Sequence, residues 1–153
     1  MARSTFVYVS YIRTTPEKLW SALTDAEFMK QYWFGVHGES EWTAGSAWKL
    51  VSPSAQILDA GEIVEAQPPR RLVIRWRNQF KPELNAEGDS LCTMELEPIG
   101  SAVKLSITHT IECQPSKFIE AVSGGWPKVI SNLKSLLESG SAVLTDPYPN
   151  QSA

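Results

Sequence analysis

The chain has 153 residues, 42% hydrophobic and 20% charged, a composition that suits one globular domain around a single core. Fourteen basic against seventeen acidic residues leave a net charge of −3, which argues against a nucleic-acid binder and against a polybasic membrane anchor, since both need a basic face. Two cysteines, Cys92 and Cys113, with no CxxC pair, suggest neither a disulfide scaffold nor a zinc knuckle. No apolar run approaches the roughly 20 residues of a bilayer span, and MARSTF lacks the features of a secretory signal, so the expectation is a soluble cytoplasmic protein without membrane insertion.

In chain order, Phe6 to Ile12 (FVYVSYI) is aromatic and β-branched and reads as a strand buried on much of both sides. Thr15 before Pro16 and Glu17 marks a helix start, and Leu19, Trp20 and Leu23 share its face. A second short helix follows at once, with Thr24 to Glu27 as a capping box and Phe28, Met29, Tyr32 and Trp33 as its apolar stripe. From Glu39 to Glu112 the pattern turns to strands. Candidates are Ala47 to Val51, Ile57 to Ala66, the RRLVIRWR run ending at Arg77, the alternating segment around Cys92, Met94 and Leu96, and the run Val103, Leu105, Ile107, His109, Ile111. Asn78 to Ser90 is polar and reads as a long hairpin loop. After Pro115 the helical period returns. Ser116 caps it, Gly124-Gly125 weakens or kinks it, Trp126-Pro127 restarts it, and Val129, Ile130, Leu133, Leu136 and Leu137 form its stripe up to Gly140.

Three separated segments carry a family resemblance: TTPEKLWSALTDAEFMKQYW (Thr14 to Trp33), AGEIVEAQPPRRLVIRW (Ala60 to Trp76) and GGWPKVISNLKSLLESG (Gly124 to Gly140). They resemble the superfamily of START-like, polyketide-cyclase-like and birch-pollen-allergen-like domains (SRPBCC), and within it the group related to the activator of heat-shock protein 90 ATPase. The resemblance implies an α+β helix-grip fold. Its curved antiparallel sheet of six to seven strands wraps a long C-terminal helix, with two short helices after the first strand. The domain spans residues 5–140, and 141–153 reads as a flexible tail.

Such folds resemble containers, and the resemblance implies an apolar cavity between sheet and helix. The ligand-binding candidates are Tyr8, Trp33, Trp48, Glu62, Trp76, Met94, His109, Trp126 and Ile130. His109 shares the inward phase of its strand. Two readings stay open for it, a core histidine satisfied by a backbone carbonyl or water and a cavity histidine that orients a ligand or acts as general base. Glu62 points inward if Val64 does, where it would meet His109 or a ligand amine, at the cost of burying a carboxylate. Arg75 falls on the solvated face. His37, Glu39 and Glu41 have a period-2 spacing open to metal ligation, but an exposed edge accounts for them better. Trp20 reads as packing, while Trp33, Trp48, Trp76 and Trp126 are candidate walls against ordinary core filling.

The leading functional expectation is a binding module for a small apolar or aromatic ligand. Alternatives are a cyclase- or hydrolase-like enzyme using His109 with Tyr8 or Glu62, and a co-chaperone or other interaction module. The sequence contains no recognisable nucleophile–base pair, metal cluster, phosphate loop or dinucleotide fingerprint. It names no catalytic residue, metal or cofactor, and it is compatible with a homodimer through the sheet edge or convex face.

Overall fold

Alternation along the first strand sets the architecture. In β1 (Ser4–Ile12) the even positions are half-buried or buried and the odd ones exposed, as in a strand with one face on a core and one in water. The computed structural model describes residues 3–145. After β1 come α1 (Pro16–Thr24), α2 (Ala26–Tyr32), β2 (His37–Ser40), β3 (Ala47–Val51), β4 (Ile57–Gln67) and β5 (Arg71–Asn78). The single turn α3 (Pro82–Asn85), β6 (Ser90–Ile99), β7 (Ala102–Ile111) and α4 (Lys117–Ser139) complete the order. The seven strands form one antiparallel sheet in the order β1-β7-β6-β5-β4-β3-β2. First and last strands therefore pair, which leaves β1 and β2 as the two edges. The sheet is open and curved, and α4 packs on its inner face: this is the expected helix-grip α+β fold, with seven strands. No helix among the described residues is long and apolar enough to cross a membrane.

Local chemistry places the helices. Thr15 Oγ1 accepts from the Lys18 amide at 3.2 Å, and Pro16 occupies the first turn, where it forfeits no helical bond. The second cap sits one residue later than the capping-box reading. Asp25 accepts from the Glu27 amide at 3.1 Å, while Thr24 turns its hydroxyl back to the Trp20 carbonyl at 2.8 Å. Asp25 also closes α1 through its own amide to Ser21 O, so one residue ends a helix and begins the next. At α4, Ser116 caps the Ile119 amide, and the Glu87 carboxylate accepts from Ser116 Oγ at 2.6 Å and from the Lys117 amide at 2.8 Å. Glu87 thereby satisfies donors that a helix start otherwise leaves open, and these bonds hold its pKa down despite burial.

Three other expectations are revised. The outer face of β1 is wet: Val7, Val9 and Tyr11 are 58%, 42% and 53% exposed, because the strand is an edge with solvent on its convex side. Residues 117–139 form one continuous helix through Gly124-Gly125 and Pro127. A prolyl ring crowds the preceding turn, and here that turn carries two residues without Cβ. The segment between β5 and β6 contains α3 and is not all loop. Of the C-terminal stretch, residues 141–145 run back along α4, where the Leu144 amide and carbonyl bond the Asn132 side chain at 2.6 and 2.9 Å. Residues 146–153 lie outside the described residues.

The core fills the space between α4 and the sheet with fully buried Ile12, Leu19, Leu72, Leu105, Ile107, Ile130 and Leu133. Tyr32 joins it by donating its hydroxyl to the Ala22 carbonyl at 2.8 Å. Burial holds the Tyr32 pKa far above the ordinary phenol value.

Candidate functional site

Side chains fill the grip only part-way. Beside the N-terminal half of α4 a hollow of about 180 Å³ remains, and it adjoins a second of about 520 Å³. Both regions share Trp33, Leu58, Ala121, Gly125 and Val129, so they form one cleft open to solvent. Its sheet side is Leu50, Leu58, Asp59, Trp76 and Asn78, and its helix side includes Phe118, Val122, Trp126 and Val129. Gly124 and Gly125 border open space, since a Cβ on either would meet nothing within 4 Å.

Most of the lining is apolar, and the two polar residues of the smaller hollow sit together. Asp59 and Asn78 are register partners on β4 and β5, and Asn78 Nδ2 donates to Asp59 Oδ1 at 3.3 Å. Asp59 is only 9% exposed. Burial raises its pKa to about 6, against the opposing pull of the N–H groups of Trp76 and Asn78. The Trp76 indole N–H acts on this carboxyl without closing a hydrogen bond of good geometry, and Nε1 is buried without a partner. Among the described residues, Asp59 is the one ionisable side chain lining the smaller hollow, and Lys128 lines the larger.

Behind the wall runs a polar relay. Indole nitrogen is a donor only, so the 3.2 Å contact between Trp126 Nε1 and His109 Nδ1 makes Nδ1 an acceptor. His109 Nε2 then carries the proton and donates to Ser90 Oγ at 2.9 Å, and the Ser90 hydroxyl donates to the Trp76 carbonyl at 2.9 Å. Every member is satisfied, and the imidazole is neutral. Burial lowers its pKa to about 3. His109 also sits edge-on to Trp76 and to Phe118, each at 5.0 Å between ring centroids. It thus fixes both the Trp76 and the Trp126 walls while not itself lining the hollow.

A family described as "Activator of Hsp90 ATPase homolog 1-like protein" matches residues 13–138. The chain belongs to that family. A search of curated proteins returns no significant match. Among solved structures, CalU16 from Micromonospora echinospora is similar at 20% identity and TM-score 0.72, over 88% of this chain and 76% of that one. The Aha1 dimer from Colwellia psychrerythraea matches at 18% identity and TM-score 0.73, over 90% and 98%. An HSP90 activator from Plasmodium falciparum matches at 23% and 0.70, over 87% and 95%. At these identities the likeness shows the shared fold.

Within this member of the Hsp90-activator-like family, the residues singled out from the sequence separate into groups. Trp33, Trp76 and Trp126 come together at the cleft, with Trp33 and Trp126 in edge contact at 5.4 Å. Trp48 lies behind Trp76 at 4.6 Å, and His109 stands behind the wall as described. Met94 and Ile130 are buried in the core. Tyr8 is half-buried on the edge strand, stacked on Phe6 at 6.3 Å. Glu62 is a correction: its side chain points away from the cleft and pairs with Arg75 on the outer face. A bulge between Ile63 and Glu65 is the cause. It puts Val64 outward, 40% exposed, so that Asp59, Gly61 and Ile63 take the inward phase. His37 and Glu39 bond each other at 2.9 Å on the other edge, and no group of three metal-ligating side chains occurs among the described residues. Sequence reasoning missed Asp59, Asn78, Phe118 and Val129. For Asp59 the available signal was its two-residue spacing from Gly61 and Ile63, masked by the bulge.

Proposed function

We propose that this protein binds a small, predominantly apolar aromatic molecule in the cleft between β3–β5 and the first half of α4. The supporting observation is a solvent-reachable hollow with Trp33, Trp76, Phe118 and Trp126 on its walls in a fold whose interior is otherwise packed. Concave apolar sites with a few placed polar groups are the usual form of small-molecule pockets. A catalytic reading built on His109 with Tyr8 or Glu62 draws no support from the geometry, because the three stand behind the wall, on the edge strand and on the outer face.

Replacing Gly125 tests the binding reading. In Gly125→Leu the new side chain enters open space in the cleft, and leucine favours helix over glycine by roughly 0.5–1 kcal/mol, so the fold is kept or strengthened. Titration of 2-methylnaphthalene, followed by tryptophan fluorescence, should give saturable binding to the wild type and little to the variant. Equal binding to both chains would place the ligand elsewhere.

A second observation favours self-association. β1 is an open edge carrying exposed Val7, Val9 and Tyr11, and one structural neighbour is described as a dimer. The reading is a homodimer joined through β1.

A further inference from the structure

We infer that Asp59 and Trp76 form a paired acceptor and donor that recognises a hydroxyl group, so that the ligand of the cleft is an aromatic alcohol of the phenol type. The inference rests on the binding reading above and specifies its chemistry. Trp76 is 4% exposed, its ring lines the smaller hollow, and its indole N–H acts on the Asp59 carboxyl without closing a hydrogen bond of good geometry. A buried donor left unpaired costs about 1–3 kcal/mol, which makes the position unusual inside a protein. Beside it, the Asp59 carboxyl lines the same hollow with one well-formed bond, from Asn78, the looser pull of the Trp76 N–H, and spare acceptor capacity.

The two groups set complementary demands on whatever approaches them. The indole requires an acceptor, and the carboxylate requires a donor. An ether or ketone only accepts, so it would answer Trp76 and leave Asp59 unanswered. An ammonium only donates, so it would answer Asp59 and leave the indole orphaned. A carboxylate would meet the charge of Asp59. One hydroxyl oxygen does both, accepting from Nε1 and donating its proton to the carboxylate. The rest of the lining, with Leu50, Leu58, Val122 and Val129 beside the aromatic rings, suits a planar apolar body. Ser90 is no competitor for that hydroxyl, because it is committed to His109 and the Trp76 carbonyl.

The test uses three probes on one ring system with the full chain: 2-naphthol, 2-methoxynaphthalene and 2-methylnaphthalene, each titrated by calorimetry. Sites built to bond a hydroxyl discriminate strongly against analogues lacking it, so 2-naphthol should bind about tenfold or more tighter than 2-methylnaphthalene, with the methoxy compound between them. In Asp59→Ala the bond from Trp76 is kept, so 2-naphthol should lose its advantage over the methoxy compound while 2-methylnaphthalene binds as before. In Trp76→Phe, which keeps an aromatic wall and removes the N–H, the methoxy compound should lose its advantage over the methyl one. The wild-type comparison stands even if a variant fails to fold. Equal affinity of the wild type for all three probes would overturn the hydroxyl inference and leave the binding reading in place. Binding of none of them would overturn the binding reading and the inference with it.

Discussion

Asp59 and His109 are both buried and titratable, and folding moves their pKa values in directions that give opposite pH dependence. The Asp59 pKa is raised from 3.8 to about 6, so between these values the folded chain holds the proton more tightly than the unfolded one. Its contribution is fully present below pH 3.8 and is lost as pH rises through 6, a change on the order of 2–3 kcal/mol. The His109 pKa is lowered from 6.5 to about 3, so the unfolded chain binds the extra proton in that window and stability rises with pH across it. Asp59→Asn isolates the first effect, because the amide fits the same space and carries no charge. The variant should be more stable than wild type by about 2 kcal/mol at pH 8 and indistinguishable from it near pH 4. Urea denaturation at the two pH values checks this, and a gain independent of pH would show that Asp59 is not buried as a charge. A residue that costs stability in the ligand-free protein is what a binding group in an apolar cleft looks like.

The elements show where sequence reading succeeds and where it stops. Gly61 illustrates the limit. A Cβ at this position would land on the Arg75 carbonyl oxygen, because β4 and β5 approach closely just where Trp76 is turned into the cleft. Gly61→Ala should therefore cost about 2–4 kcal/mol or prevent folding, a large effect for one methyl group. A melting temperature equal to wild type would show that the two strands can separate without penalty. Nothing in ILDAGEIVEAQ announces this contact, which depends on the neighbouring strand, and the bulge in the same strand reverses the phase halfway along. By contrast, β7 reads correctly from its alternation alone, since all ten of its residues keep one register from Ala102 to Ile111. The caps at Thr15, Ser116 and Gly140 were equally legible, being local interactions within a few residues. His109 lies between these cases. Its inward direction followed from β7, but its engagement by Trp126 and Ser90 needed two other elements to be placed.

The assembly of the whole molecule turns on how its two sheet edges differ. β2 is four residues long and carries His37 and Glu39, with Lys49 close to the latter on β3. Short, charged edges resist pairing with other strands. β1 has none of that protection: its nine residues, STFVYVSYI, include no charge and no proline. Val7, Val9 and Tyr11 add an apolar row on its convex side. Among the described residues only its C-terminal end is covered, where Lys134 Nζ donates to the Tyr11 carbonyl and the Arg13 amide donates to Glu138. An antiparallel partner strand from a second copy would satisfy the remaining edge and set its own apolar row beside this one, and a two-fold axis makes the same strand serve both sides. The cleft lies toward the opposite edge, along β3–β5, so pairing through β1 leaves it accessible. Light scattering coupled to gel filtration should report a dimer whose population rises with protein concentration. Val9→Lys, which sets like charges near each other across the new seam, should give a monomer that still binds 2-methylnaphthalene as the wild type does. A wild-type chain that stays monomeric at every concentration reachable in solution would rule the β1 dimer out, and a variant that loses the dimer and the ligand together would show that edge and cleft are coupled.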